Sequence, residues 1–433
     1  CEAMDIVISQ IHTLSTNNES DLKKLKDFLR HEQESLKANA HLIDQALQTL
    51  DPKQNTLGVA FLLAAQMSAA VYTDKWATFA YIGNFLKLAD EQQVMKASVP
   101  INSVCKSYAQ MAIDEGQQAM LRSLVPLRCA VEKLRPNTET LTPVHMEFLR
   151  VCLKAKAYHL AVHVLDQPIF DISLSNNNCT QMTPQIFLCY FYYGALIRIG
   201  MKEYSQAMQL LLVVLTCPAS CLSAIQADAY KKYVLVSLKV HGELQSLPIY
   251  ASHIVQRYAK SASYVLDIAE AFKAGDLAAL RRVVEEKTAQ IQADHNMGLA
   301  KQVITSLNRH KVQTLTKTYL TLSLTEIARE IGIEESKTAE VEQLLFDMIS
   351  DGEINARIDQ TTGNVSFEDD EAEMDVGMVD KMQVKLQQIL ELANRIGSFE
   401  QEVVSSEAYI RKTAALEGDR SSPALGGYDF MDM

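Results

Sequence analysis

The chain has 433 residues, 48% of them hydrophobic, enough for two or three packed domains, which excludes a disordered polypeptide. Lys and Arg total 41 against 53 Asp and Glu, a formal net charge of −12, so the molecule as a whole repels nucleic-acid backbones and anionic lipid. With 16 Gly, 10 Pro and one Trp, the composition favours helix throughout.

Residues 2–130 carry apolar residues at helical spacing, such as Leu22, Leu25, Phe28 and Leu29, but without a common period. The longest apolar stretch, Gly58 to Tyr72, is interrupted by Gln66 and Ser68 and is too short to cross roughly 30 Å of hydrocarbon. The cysteines are dispersed, with no C-x-x-C pair, which suits reduced thiols better than a disulfide framework. A soluble chain of the cytoplasm and nucleus is expected.

Thr142-Pro143 and Thr183-Pro184 each set a capping hydroxyl before a proline at the first helical position, where its missing N–H costs nothing. Further helix starts near Leu222 and Ala262 give a repeat of about forty residues, the period of stacked helical hairpins. Each unit reads as helix, break and returning helix, with breaks at Lys156-Ala157, Gly200-Met201, Gly242-Glu243 and Gly275-Asp276. Gly200, Tyr204, Ala207 and Leu211 loosely echo a tetratricopeptide repeat, with a small residue where helices approach closely. The insert from Asp166 to Met182, with Asn176-Asn177-Asn178, reads as an exposed loop. The expected architecture is therefore mainly α, a right-handed solenoid of helical hairpins.

The pattern changes after residue 295. Tyr319 to Leu324 alternates polar and apolar residues, a short strand signal. Ser323 with Glu326 forms a capping box, Leu322 with Ile327 a hydrophobic staple, and Leu324, Ile327, Ala328 and Ile331 the buried face of a helix that Gly332 ends. Ser336 caps a second helix with Val341, Leu344, Leu345, Met348 and Ile349 on one face, until Gly352 stops it. Ile354, Ala356 and Ile358 alternate, Gln360 to Gly363 turns, and Val365 and Phe367 alternate again, giving a β-hairpin. This order is that of a winged helix.

Winged helices often lay the second helix in the major groove of DNA, but here it carries Lys337 against Glu340, Glu342, Asp347 and Asp351. Duplex binding commonly uses on the order of six or more basic phosphate contacts, so nucleic acid is an unfavoured partner. The basic residues Lys301, Arg309, His310, Lys311 and Lys317 precede the motif and read as a solvated face or an interaction surface. A two-stranded hairpin leaves an unpaired outer edge. Docking of another chain on that edge and completion of a local core by Ile354, Ile358 and Phe367 both remain open at this point.

After an acidic hinge of Glu368, Asp369, Asp370, Glu371, Glu373 and Asp375, the residues Val379, Met382, Leu386, Ile389, Ala393 and Ile396 step alternately by three and four, resuming at Val403. Leaving that seam in water would forfeit on the order of 10 kcal/mol. Folding back onto the solenoid is one remedy, but a strict heptad seam favours a bundle with similar helices. The tail from Glu417 to Met433 is rich in Gly, Ser and Pro and ends in an aromatic-acidic Tyr428-Asp429-Phe430.

No catalytic constellation emerges. His159 and His163 lie one turn apart without an intervening Glu, there is no H-x-H pair, no glycine-rich phosphate loop and no G-x-S-x-G, and Cys152 and Cys189 lie in apolar helices as inert core thiols. The expectation is a chain that is not an enzyme and needs no metal or other cofactor.

Helical hairpins running into a winged helix and then a bundle-seeking helix is the arrangement of PCI-domain proteins. The segments YKKYVLVSL (230–238), HNMGLAKQ (295–302), LTKTYLTLSLTEIA (315–328) and DMISDGEINARIDQTTGNVSF (347–367) resemble the subunit-three family of the COP nine signalosome, most strongly from about residue 187 to 367. The resemblance implies an N-terminal helical-repeat region over 1–186. A PCI domain would follow over 187–368, with repeats at 187–294 and the winged helix at 295–368, and the hinge, bundle helix and flexible tail would occupy 369–433. It implies a non-catalytic scaffold subunit in an eight-subunit assembly that removes the ubiquitin-like modifier Nedd8 from cullins and so regulates cullin–RING ubiquitin ligases. Ile354, Ala356, Ile358, Val365 and Phe367 would build or border a lateral contact between winged helices. Val379, Met382, Leu386, Ile389, Ala393 and Ile396 would enter the helix bundle. Implied neighbours are subunits one and eight, with cullin–RING ligases met indirectly, no small-molecule substrate and no membrane. Competing readings are a PCI scaffold of the proteasome lid or of translation initiation factor three and, from another class, a winged-helix nucleic-acid binder.

Overall fold

In the computed structural model, which describes residues 2–15, 18–70, 72, 74–172, 182–332, 338–359, 363–367 and 376–420, the amino-terminal region mixes short and long helices. They are α1 (Glu2–Leu14), α2 (Glu19–His31), α3 (Gln33–Ala38), α4 (Ile43–Thr49), α5 (Thr56–Ala69), α6 (Lys75–Leu88), α7 (Glu91–Lys96), α8 (Ser98–Glu115) and α9 (Gln117–Leu134). The stripe expected on α2 is present, with Leu22, Leu25 and Leu29 buried. A regular repeat is missing here because helix lengths range from 6 residues in α3 and α7 to 18 in α8 and α9. In α5 every residue from Thr56 to Met67 is buried, so its side chains obey no single face. Gly58 admits α1 at close range, since a Cβ there would lie 2.6 Å from Ile11 Cγ2.

The repeat follows as α10 (Pro143–Ala155), α11 (Tyr158–Leu165), α12 (Pro184–Gly200), α13 (Tyr204–Thr216), α14 (Ala224–His241), α15 (His253–Ser261), α16 (Ser263–Ala274), α17 (Leu277–Glu286), α18 (Thr288–Ala293) and α19 (Met297–Thr316). Thr183 caps α12 by accepting from the Ile186 N–H. At α10 the box closes through His145, whose Nδ1 accepts from the Thr142 N–H at 3.1 Å. Burial pushes the His145 imidazole down to about 4, which keeps it neutral and able to accept.

The breaks fall where expected, with differences of detail. Lys156, Gly242 and Gly275 take positive φ at three of them, but at the Gly200-Met201 break the positive φ sits on Lys202. Gly200 serves packing instead: a Cβ there would lie 2.8 Å from the Tyr158 ring of α11. After Gly242 the returning helix is delayed. Residues 243–252 form a connection held by Ser237 Oγ, which donates to Glu243 O (2.8 Å) and accepts from Gln245 N–H (2.9 Å). The insert is also less free than expected, because Asp171 forms a parallel bridge with Thr140; Asn176 to Asn178 lie outside the described residues.

Three hydrophobic clusters share helices rather than meeting at gaps. Tyr190 and Ile197 of α12 belong to the first and Leu188 and Ala195 of the same helix to the second. Leu299, Ala300, Val303 and Leu307 of α19 complete the second, while Val312 enters the third. The boundary read near residue 187 thus falls inside α12.

The third cluster is the winged helix: β1 (Thr321–Ser323), α20 (Leu324–Ile331), α21 (Thr338–Ser350), β2 (Ala356–Asp359) and β3 (Asn364–Phe367). The capping box forms as read, with Glu326 N–H donating to Ser323 Oγ (3.2 Å) and Ser323 N–H donating to Glu326 (3.0 Å). Those bonds hold the Glu326 carboxyl below its usual range. The hairpin forms as read, between β2 and β3, and β1 joins it in an antiparallel sheet of order β1-β3-β2 that pairs Leu322 and Ile358 with Val365. β1 is also shorter than the alternation implied, and Leu320 is 74% exposed. Ser336, the turn Gln360 to Thr362 and the acidic hinge lie outside the described residues.

The last helix is broken. α22 (Val376–Ser405) ends at a bend at Ser406, and α23 (Glu407–Arg420) continues past the point read as the start of the tail. The Tyr428 to Phe430 motif lies outside the described residues. Among the described residues no helix is long and apolar enough to cross a membrane.

Candidate interaction surfaces

The winged-helix residues divide by burial. Ile354, Val365 and Phe367 are buried in one cluster with Ile327, Ile331, Val341, Leu345 and Met348, and the half-buried Ala356 and Ile358 pack against it. Their side chains therefore finish the local core, and β2 is one of the two edge strands of the sheet, with β1 at the other edge. Beside β2 runs a groove of about 740 Å³ lined by Ala339, Glu342, Gln343, Phe346, Ile358 and Asp359. Phe346 is 61% exposed and was missed in the sequence. Its signal is phase: an aromatic residue one position beyond Leu345, off the Val341, Leu345 and Met348 stripe.

Three of the five basic residues before the motif are engaged internally, which corrects their reading as a solvated face. Arg309 donates to Asp351 (2.9 Å) and Glu353 (2.7 Å), and Lys311 donates to the Ile331 carbonyl (3.2 Å) at the end of α20. His310 Nε2 lies 3.0 Å from Lys239 O on α14. These contacts clamp the winged helix onto α19 and the repeats; Lys301 and Lys317 stay exposed. Between Thr338 and Ser350, α21 carries Glu340, Glu342 and Asp347 and neither Lys nor Arg, the wrong charge for a helix entering a DNA groove.

The seam of α22 lies in water. Leu386, Ile389 and Ile396 are 60%, 59% and 58% exposed, and Val379, Met382 and Ala393 are exposed with them. Val384, Leu390, Phe399 and Val403 widen the apolar surface, and Tyr409 and Ile410 extend it onto α23. Exposed apolar surface of this kind is a candidate interaction surface.

The residues weighed for chemistry behave as core or surface. Among the described residues, no group of three or more His, Cys, Asp and Glu is placed to hold a metal ion. His159 and His163 project from α11 into solvent. Cys152 and Cys189 are buried, and burial pushes the Cys152 thiol up to about 12.

Helical repeats clamped to a winged helix, with a long apolar helix left over, define a PCI-type scaffold, and residues 276–369 match the PCI domain family. Residues 19–255 match the family described as COP9 signalosome complex subunit 3, N-terminal helical repeats. The chain is 33% identical to COP9 signalosome complex subunit 3 of Arabidopsis thaliana over 414 residues, 95% of this chain and 93% of that protein. It is 29% identical to the protein of the same name from Drosophila melanogaster over 433 residues, 96% of each. The chain belongs to the COP9 signalosome complex subunit 3 family.

Proposed function

We propose that the chain is a non-catalytic scaffold subunit of the COP9 signalosome in cytoplasm and nucleus, supporting removal of Nedd8 from cullins and thus regulation of cullin–RING ligases. The observation that carries this reading is the exposed heptad seam of α22, which needs helices from other chains to leave water. Membership of a family named for a subunit of a complex supports it. In this reading α22 and α23 enter a bundle through Val379, Met382, Leu386, Ile389, Ala393 and Ile396. The winged helix meets its neighbour along β2, bordered by Ile354, Ala356, Ile358, Val365 and Phe367, with Phe346 beside it. Subunits one and eight are the neighbours, and cullin–RING ligases are reached through them.

The test is affinity purification of the full chain and of a form lacking residues 376–420, with mass spectrometry of what co-purifies. The other signalosome subunits and cullins are expected with the full chain and are expected to vanish with the truncation, while circular dichroism stays helical. Retention of the complex by the truncated form would overturn the role given to the terminal helices.

A further inference from the structure

Between α9 and α10 the chain lies beside residues 170 and 171. Glu139 O accepts from the N–H groups of Phe170 (3.1 Å) and Asp171 (3.2 Å), and Leu141 N–H donates to Asp171 O (3.0 Å). Thr140 Oγ1 donates to the Asp171 carboxylate at 3.1 Å. These bonds fix the Glu139 carboxylate and the Phe170 ring next to each other, and Arg395 of α22 meets both. Its guanidinium carbon lies 4.2 Å from the centre of the Phe170 ring, and Nη2 is paired with Glu139. A carboxylate beside an aromatic face suits a flat guanidinium better than a compact ammonium. The partners are 256 residues apart in sequence, so the contact ties the carboxyl-terminal helix to the connection between α9 and α10.

The place of Arg395 on its helix decides what the contact does. At about 100° per residue, Leu392 and Phe399 fall within about 60° of Arg395, whereas Val379, Met382, Leu386, Ile389, Ala393 and Ile396 lie about 100–180° away. A helix held at Arg395 therefore turns its heptad seam from the body.

We infer that Arg395 is a latch, holding α22 on the bridge formed by Thr140 and Asp171 so that the free chain presents its seam outward to a partner helix. Arg395 acts as a positioning residue, fixing the azimuth of α22 before assembly and reducing the ordering that binding requires. The use of the latch in assembly rests on the scaffold reading, while the latch itself does not.

Spin labels carried by non-canonical residues at the exposed positions His159 and Glu400 of the full chain would test it. The unsubstituted chain is expected to give a narrow distance distribution, R395A and E139Q a distribution at least twice as wide, and R395K an intermediate width. An unchanged width in R395A, or a broad one in the unsubstituted chain, would overturn the latch. With the remaining subunits added, the association rate of R395A is expected to fall about three- to tenfold as the competent orientation becomes less populated. A broken latch with an unchanged rate would overturn the presenting role. Failure of even the unsubstituted chain to be captured would count against the scaffold reading and leave the distance result standing.

Discussion

Helices α5 and α22 are both rich in apolar residues, yet one is buried from Thr56 to Met67 and the other is exposed along most of its length. Content and arrangement both separate them, since α5 has no charged residue and α22 intersperses charges among its apolar residues. In α5 the apolar side chains surround the axis, so only a helix enclosed by its own chain satisfies them. In α22 they follow a heptad seam, interrupted at Glu400, with Lys385, Glu391 and Arg395 on other faces, so the helix keeps polar surface in contact with water. Apolar residues on every side build the interior, and apolar residues on a seam leave one face for the assembly proposed above.

The comparison breaks most sharply if charge is placed on the seam. Leu386→Asp with Ile389→Asp is expected to lower affinity for the other subunits by about 100-fold or more, since each buried side chain of this size contributes roughly 1.5–3 kcal/mol. The melting temperature of the free chain should not move; competition pull-down and calorimetry read the two effects. Leu62→Ala in α5 should do the opposite, costing about 2–5 kcal/mol of folding stability in urea titration, because Leu62 is fully buried.

A third outcome separates interior from surface by pH. The folded His145 titrates near 4 against 6.5 unperturbed, so below about pH 6.5 the unfolded chain binds a proton that the folded chain refuses. Its contribution is fully present above that pH and falls by about 3 kcal/mol as pH drops toward 4. Denaturant unfolding of the His145→Gln variant should show a shallower slope across this window, whereas seam substitutions leave the slope unchanged. The smallest effect is expected at Ser323→Ala, about 1 kcal/mol from the lost cap of α20, measured by urea unfolding of the full chain.

What the sequence revealed was largely local. Thr183 before Pro184 and Ser323 before Glu326 mark helix starts because cap and capped N–H groups lie within three residues of each other. The heptad of α22 was legible for the same reason. Pairings across long separations were not: β1 joins β3 by placing Leu322 opposite Val365, and Arg395 meets Glu139 across most of the chain. Arg309 looked like part of a basic patch because Asp351 and Glu353, which neutralise it, arrive from elsewhere in sequence. Phe346 escaped notice because it departs from an otherwise sound periodicity, whereas Leu320 keeps the alternation of Leu322 and Leu324 and is exposed all the same, and exposure of an apolar residue is visible only once its neighbours are in place.

Helix α19 carries Leu299 to Leu307 in one cluster and Val312 in the next along a single uninterrupted rod of 20 residues. Load applied at the wing would therefore pass into the repeat stack through one continuous strut, with no break in that helix to absorb it.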